Sequence, residues 1–163
     1  MNIVAIIPAR GGSQGLPNKN IMDFCGKPLI HWSIKQALNS TSITSVWVSS
    51  DDDKILNISQ SSGANTIIRP PELATHEAAS EGAWIHAIDH IEKKADKVDL
   101  VVGIQATSPL RTSNDFDSAI EYFFKNNTYD SLFTSALLED YFIWKEDNKR
   151  HLAGENHDYK NRK

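Results

Sequence analysis

The chain is poor in several features that would narrow its class at once. It has one cysteine, Cys25, in 163 residues. No internal disulfide can form, and the cytoplasm is the expected location. Cys25 has no His or Cys at a ligand or nucleophile spacing and reads as an incidental thiol. Every apolar run is shorter than a membrane span and Met1 leads straight into a strand, so neither a span nor a signal peptide is expected. Basic charge is not in excess: 17 Lys and Arg stand against 21 Asp and Glu, a net charge of -4. Without a basic stripe, that balance argues against a general nucleic-acid binder. His76, His86, His90 and the other histidines lack zinc spacing, and no Ser/His/Asp arrangement is legible. No internal repeat or low-complexity tract is present.

What is present is a chain with 40% apolar residues, enough to bury one proper core. Apolar runs and helical periodicities alternate along it. Strands are expected at about Asn2–Pro8, Ser45–Ser49, Asn65–Ile68, Val98–Ile104 and Asp130–Leu137. Helices are expected over Leu29 to Leu38, after the acidic run Asp51–Asp53 and up to Gly63, from about Ser80 to Lys94, and from about Asn114 to Lys125. Repeated βα units with apolar strands predict an α/β fold whose largely parallel sheet is covered on both faces. The texture changes after Ala136, where aromatics mix with charge and then run out in HLAGENHDYKNRK, which has no periodicity and no cap. Residues 1–138 are therefore read as the α/β domain, and 139–163 as the start of an incomplete further segment.

The most distinctive stretch is IPARGGSQGLPNKN, Ile7 to Asn20, directly after the first strand. Ligands of open α/β sheets bind at the carboxyl edge of the strands. Glycines there let the backbone approach an anion, and Arg10 and Lys19 add fixed positive charge. The loop fails the GxxxxGK[ST] pattern, and Gly11, Gly12 and Gly15 have the wrong intervals for GxGxxG. Pro17 separates it from the next helix, so side-chain cations and a backbone nest, more than a helix dipole, would hold phosphates. A plain Gly-rich βα turn with two solvated cations fits the same residues.

Three more loops should gather beside it. RPPELATHEAAS brings Arg69 off a strand and Ser80 to a helix start, where Ser80 serves equally as an ordinary N-cap. QATSPLR sets an amide and two hydroxyls after a buried strand, suited to a hydroxyl-rich ligand or to capping the next helix. Asp51–Asp53 fits a solvated helix start better than a metal site.

Taken together, IPARGGSQGLPNKN, SVWVSSDDD, IRPPELATHEAAS and GIQATSPLR resemble the N-acylneuraminate (sialic acid) cytidylyltransferases, in order and spacing, from Met1 to about Trp144. Cytidylyltransferases for related nonulosonic acids share the pattern, as does, more distantly, the enzyme for the eight-carbon acid Kdo. The resemblance implies a three-layer α/β/α Rossmann-like nucleotidyltransferase fold. It also implies transfer of CMP from CTP to a nonulosonic acid, with pyrophosphate leaving and magnesium as cofactor. Arg10, Ser13 and Lys19 match phosphate-contacting positions, with Gly11 and Gln14 in the same nucleotide-binding loop and Arg10 and Lys19 as the catalytic cations. Asn20, Arg69 and Ser80 match cytidine-side contacts, and Gln105 and Thr107 match positions facing the acyl sugar.

Two departures stand out. Gln14 occupies a position where many relatives have lysine, and the chain ends at Lys163. The family normally continues through a basic segment and an aspartate pair that ligates magnesium, so metal ligands are expected beyond Lys163 and none before it. The same region completes a homodimer. The chain is accordingly expected to be a fragment of such an enzyme. A Kdo-type or other sugar nucleotidyltransferase and a non-catalytic nucleotide-binding fragment are the alternatives.

Overall fold

The computed structural model describes residues 1–13, 16–75, 77–94, 97–126, 128–135, 144–147 and 150–153. Two units are distinguished, Met1–Asp130 and Ser131–Lys163. In the first, four strands form one parallel sheet: β1 (Ile3–Pro8), β4 (Ser45–Ser50), β5 (Asn65–Ile68) and β6 (Leu100–Gly103), in spatial order β5-β4-β1-β6. β1 pairs with β4 from Val4 opposite Ser45 to Pro8 opposite Ser49, and with β6 from Ile3 opposite Leu100 to Ile6 opposite Gly103. The chain builds outward from β1 through β4 to β5, then crosses to β6 on the other side. That reversal opens a crevice at the carboxyl ends of the strands.

Helices α1 (Leu29–Leu38), α2 (Asp53–Ser61), α3 (Ser80–Glu92) and α4 (Ser113–Lys125) cover the sheet. Alternation along β1 decides what each face buries. Ala5 and Ile7 join Val46 and Val48 and pack with Ile30 and Ile34 of α1, Ile55 of α2 and Phe116 of α4. Val4 and Ile6 point the other way and pack with Ile67 and with Ala87 and Ile91 of α3. The three-layer architecture expected from the repeated βα units is therefore present.

Local chemistry sets the helix ends. Asp52 caps α2, its carboxylate accepting from the amides of Lys54 at 2.7 Å and Ile55 at 3.2 Å. Thr112 caps α4 in a capping box with Asp115, so the hydroxyls of Thr107 and Ser108 do not cap that helix. α3 begins at Ser80, but Ala79 is its N-cap and no side chain caps it. Ser80 is thus not the N-cap that its spacing allowed.

Three features differ from the expectation. A small hairpin, β2 (Asp23–Phe24) with β3 (Lys27–Pro28), precedes α1. Its turn residues Cys25 and Gly26 both have positive φ, 54° and 80°, the conformation of a two-residue hairpin turn that glycine adopts freely. Trp32 of α1 anchors it by donating its indole N–H to the Phe24 carbonyl at 2.7 Å. The strand expected over Asp130–Leu137 is not formed at residues 130–135, which have no ladder partner among the described residues. A strand is a paired state, and apolar character alone does not make one. Residues 136 and 137, and the expected boundary at 138, lie outside the described residues. The second unit contains an antiparallel pair, β7 (Trp144–Asp147) and β8 (Arg150–Ala153), with Trp144 opposite Ala153, where the sequence showed no periodicity.

The loop between α1 and β4 is fastened to α4 by one carboxylate. Asp117 accepts from the Ser40 hydroxyl at 2.6 Å and from the amides of Thr41 at 3.2 Å and Ser42 at 3.0 Å. The Ser40 bond, aided by those amides, holds the Asp117 carboxyl at about 2, below its ordinary 3.8. A lowered folded pKa stabilises the fold above the ordinary value, and that contribution fades as pH falls through about 2. Asp117→Ala should cost roughly 1–3 kcal/mol at neutral pH, with the gap from the parent chain narrowing below pH 3.8. Urea midpoints at pH 7 and pH 2 check this; an equal gap at both would contradict it.

Candidate functional site

The carboxyl ends of the strands carry a polar pocket of about 310 Å³. Seven of the residues singled out in the sequence line it: Arg10, Lys19, Asn20, Arg69, Ser80, Gln105 and Thr107. They come from the three loops that follow β1, β5 and β6, brought together because parallel strands send every following loop to the same edge. Pro8, Leu73, Ala83 and Ala106 supply apolar wall between them. Among the described lining residues three are cations and none is a carboxylate.

Arg69 is the most constrained of these cations. It is only 5% exposed. Its Nε donates to the Ser49 hydroxyl at 3.1 Å, its Nη2 donates to the Ser49 carbonyl, and its own amide donates to the Ser50 carbonyl at 2.8 Å. Burial pushes the guanidinium below its ordinary pKa; Asp51 nearby opposes that, and the charge of Arg10 adds to it. Nη1 makes no hydrogen bond among the described residues. A buried cation held by neutral groups favours an anion beside it.

Arg10 donates from Nη1 to the Thr75 carbonyl at 2.7 Å and so ties the first loop to the segment between Arg69 and Ser80. Asn20, 4% exposed in a single 3-10 turn at Lys19–Ile21, donates to the Arg10 carbonyl at 3.1 Å. The loop after β6 is pinned from below: Arg111 donates from Nη2 to the Gln105 carbonyl at 2.6 Å and to the Ser33 hydroxyl of α1 at 3.0 Å, and lies 5.4 Å from the centre of the Phe116 ring. Gln36 of α1 donates to the Pro109 carbonyl at 2.6 Å. Gln105 and Thr107 are thus exposed side chains on a fixed backbone.

A second cleft, of about 370 Å³, is lined by residues that include Lys27, His31, Asn57 and Ser62. It is slightly larger, but it gathers none of the four motif loops, and its His31 is already hydrogen-bonded to Ser62 at 2.9 Å. The motif loops therefore meet at the pocket at the strand ends and not at this cleft.

Comparison with known proteins identifies the family. A family model described as cytidylyltransferase matches residues 4–162. The chain belongs to the cytidylyltransferase family. A pseudaminic acid cytidylyltransferase of Campylobacter jejuni subsp. jejuni serotype O:23/36 (strain 81-176) is 38% identical over 169 residues, covering 99% of this chain and 71% of that protein. An N-acylneuraminate cytidylyltransferase A of Danio rerio is 38% identical over 148 residues, covering 91% of this chain and 33% of that protein. Among solved structures, a CMP:2-keto-3-deoxy-manno-octonic acid synthetase complexed with CTP matches with a TM-score of 0.67 and 25% identity, over 78% of this chain and 49% of that one. The chain thus spans most of the Campylobacter protein, a third of the zebrafish one and about half of the structural match.

Two further candidates of the cytidylyltransferase chain, Gly11 and Ser13, are not among the described residues that line the pocket. Gly11 is turned to the β4–α2 connection, where its amide donates to the Asp51 carboxylate at 3.0 Å. The Ser13 amide donates to the Gly11 carbonyl at 2.9 Å, and the Ser13 hydroxyl is buried without a hydrogen-bond partner among the described residues. Gln14 lies outside the described residues. The sequence reading missed Asp51, Thr75 and Arg111 as supports. Arg111 ends the quoted QATSPLR motif, and its position there was the one available signal.

The described residues do not fit a magnesium site. The carboxylates nearest the first loop are engaged, Asp51 by the Gly11 amide and Asp52 by the start of α2. Among the described residues no group of three or more His, Cys, Asp or Glu could hold a metal ion.

Gly11 also marks a close approach. A Cβ at this position would lie 2.7 Å from Asp52 Oδ2 and 2.9 Å from Asp52 Cβ. Gly11→Ala therefore has to displace either the loop or the cap of α2, and should cost about 1–3 kcal/mol. Chemical denaturation checks this; an unchanged midpoint would show that the loop yields freely.

Proposed function

We propose that the chain carries the nucleotide-binding part of a cytidylyltransferase that activates a nonulosonic acid with CTP, releasing pyrophosphate. The observation that carries this reading is the pocket into which Arg10, Lys19 and Arg69 converge with Asn20, Ser80, Gln105 and Thr107, with no carboxylate among its described lining residues. Such a pocket draws in a polyanion. In the proposed arrangement Arg10 and Lys19 face the phosphates, with the buried Ser13 hydroxyl available as a further donor. Asn20, Arg69 and Ser80 lie on the cytidine side, and Gln105 and Thr107 face the acyl sugar. The sugar's anomeric hydroxyl attacks the α-phosphorus in line, an O–P bond forms, the bond to pyrophosphate breaks, and the hydroxyl proton is released to water. The protein's part is positioning and charge neutralisation rather than covalent chemistry.

The names of the two curated relatives support a nonulosonic acid as the acceptor. The Kdo-type reading has the structural match at 25% identity behind it, and competition between the acids for the same chain would separate the two. Magnesium enters the proposal through side chains other than those described. A homodimer and a cytoplasmic setting are also part of the proposal. No helix among the described residues is long and apolar enough to cross a membrane.

Thermal unfolding with CTP, UTP, ATP and GTP tests the reading. A ligand at a hundredfold excess over its Kd adds about 2.7 kcal/mol to stability. CTP should raise the transition most, and Arg10→Ala should weaken CTP about tenfold or more while leaving CMP less affected. Equal shifts with all four nucleotides, or none, would overturn the cytidylyl reading.

A further inference from the structure

We propose that Asp51 is the positioning residue of the phosphate loop, acting as the acceptor that fixes the Gly11 amide rather than as a charge in the site. This inference rests on reading the Arg10 loop as an anion clamp. Gly11 follows Arg10 directly, and its amide donates to Asp51 Oδ1 at 3.0 Å across 40 residues of sequence. Asp51 is not part of the pocket wall, so its carboxylate is placed to hold the loop from outside.

The acceptor is itself held. The Ser50 hydroxyl accepts from the Asp52 amide at 3.1 Å, and the Asp52 side chain closes the first turn of α2. Gly11 lies so close to Asp52 that a methyl group would collide with it. One rigid turn, residues 50–52, thus grips the loop by a hydrogen bond and by contact at the same glycine. Beyond Gly11 the chain folds back through the Ser13 amide to the Gly11 carbonyl at 2.9 Å, so the turn that carries the buried Ser13 hydroxyl starts at the glycine that Asp51 holds. Asp51 also lies near enough to Arg69 to favour its charged form, which makes charge the competing account of its presence.

The two accounts separate on substitution. Asparagine keeps an oxygen that accepts the Gly11 N–H and removes the charge; alanine removes both. Calorimetric titration of the full chain with inorganic tripolyphosphate reads the loop without a base, and titration with CTP reads the nucleotide site. We expect Asp51→Ala to weaken tripolyphosphate by about tenfold, and Asp51→Asn to bind it at least as tightly as the parent, because one negative charge near the anion is gone. Thermal unfolding of both variants without ligand should differ little from the parent.

Unchanged tripolyphosphate binding in Asp51→Ala, or equal losses in Ala and Asn, would overturn the inference. If the alanine variant does not fold, amide exchange at Gly11 decides: protection in the parent and in Asp51→Asn supports the acceptor role, and its absence in either opposes it. A parent chain that binds tripolyphosphate, with the expected variant pattern, but shows no preference for CTP would sink the cytidylyl reading and leave this inference standing. A parent chain that binds neither would overturn both.

Discussion

The pocket depends on one short stretch, the carboxyl end of β4. Ser49 and Ser50 are fully buried, and their backbone and hydroxyls form a junction. The Ser49 carbonyl accepts from the Ala9 amide at 2.9 Å, at the exit of β1, and also from the Arg69 guanidinium at the exit of β5. The Ser50 hydroxyl and Asp52 then turn the chain into α2, while Asp51 takes the Gly11 amide. Three loops from three strands are thereby fastened to two adjacent serines. Small hydroxyl side chains suit this place, because a larger apolar residue would fill the space where the Arg69 guanidinium lies and would offer it no acceptor.

This arrangement explains why the site is cationic. Arg69 could have been neutralised by an adjacent carboxylate, as buried arginines commonly are. Here its hydrogen bonds run to neutral oxygens, and Arg10 and Lys19 share the wall with it. Burial at 5% exposure keeps the solvent from screening that charge. The positive charge of Arg10, Lys19 and Arg69, only partly opposed by Asp51 beside Arg69, is a cost to the fold that a bound polyanion would offset. The proposed function draws on this balance, with the fold supplying the preorganisation that phosphoryl transfer requires of a protein.

Much of this was legible in the sequence, for identifiable reasons. The buried run Ile3 to Ile7, the helix Leu29–Leu38 and the strand Asn65–Ile68 read correctly because long apolar periodicity and abrupt polar boundaries coincide there. Arg10 and Lys19 could be nominated from the glycine-rich loop after β1 itself; Asn20, Arg69, Ser80, Gln105 and Thr107 were nominated through the family resemblance, and all seven meet because loops after parallel strands converge. The β2–β3 hairpin was missed because two-residue strands carry no alternation; its signal was the Cys25–Gly26 pair, with glycine where a tight turn needs it. The strand expected at Asp130–Leu137 is not formed over the described residues 130–135 for the opposite reason, since apolar pattern says nothing about the existence of a partner. Asp51 with Gly11, Arg10 with Thr75 and Arg111 with Ser33 are contacts across 40, 65 and 78 residues. No local pattern encodes such contacts.

The most direct measurement is a structure of this chain with CTP bound. The account predicts the triphosphate within hydrogen-bond reach of Arg10 and Lys19, and the cytidine on the side of Arg69 and Ser80. CTP lodged instead in the cleft beside His31 and Asn57, or in the strand-end pocket with its base against Arg10 and Lys19, would contradict it.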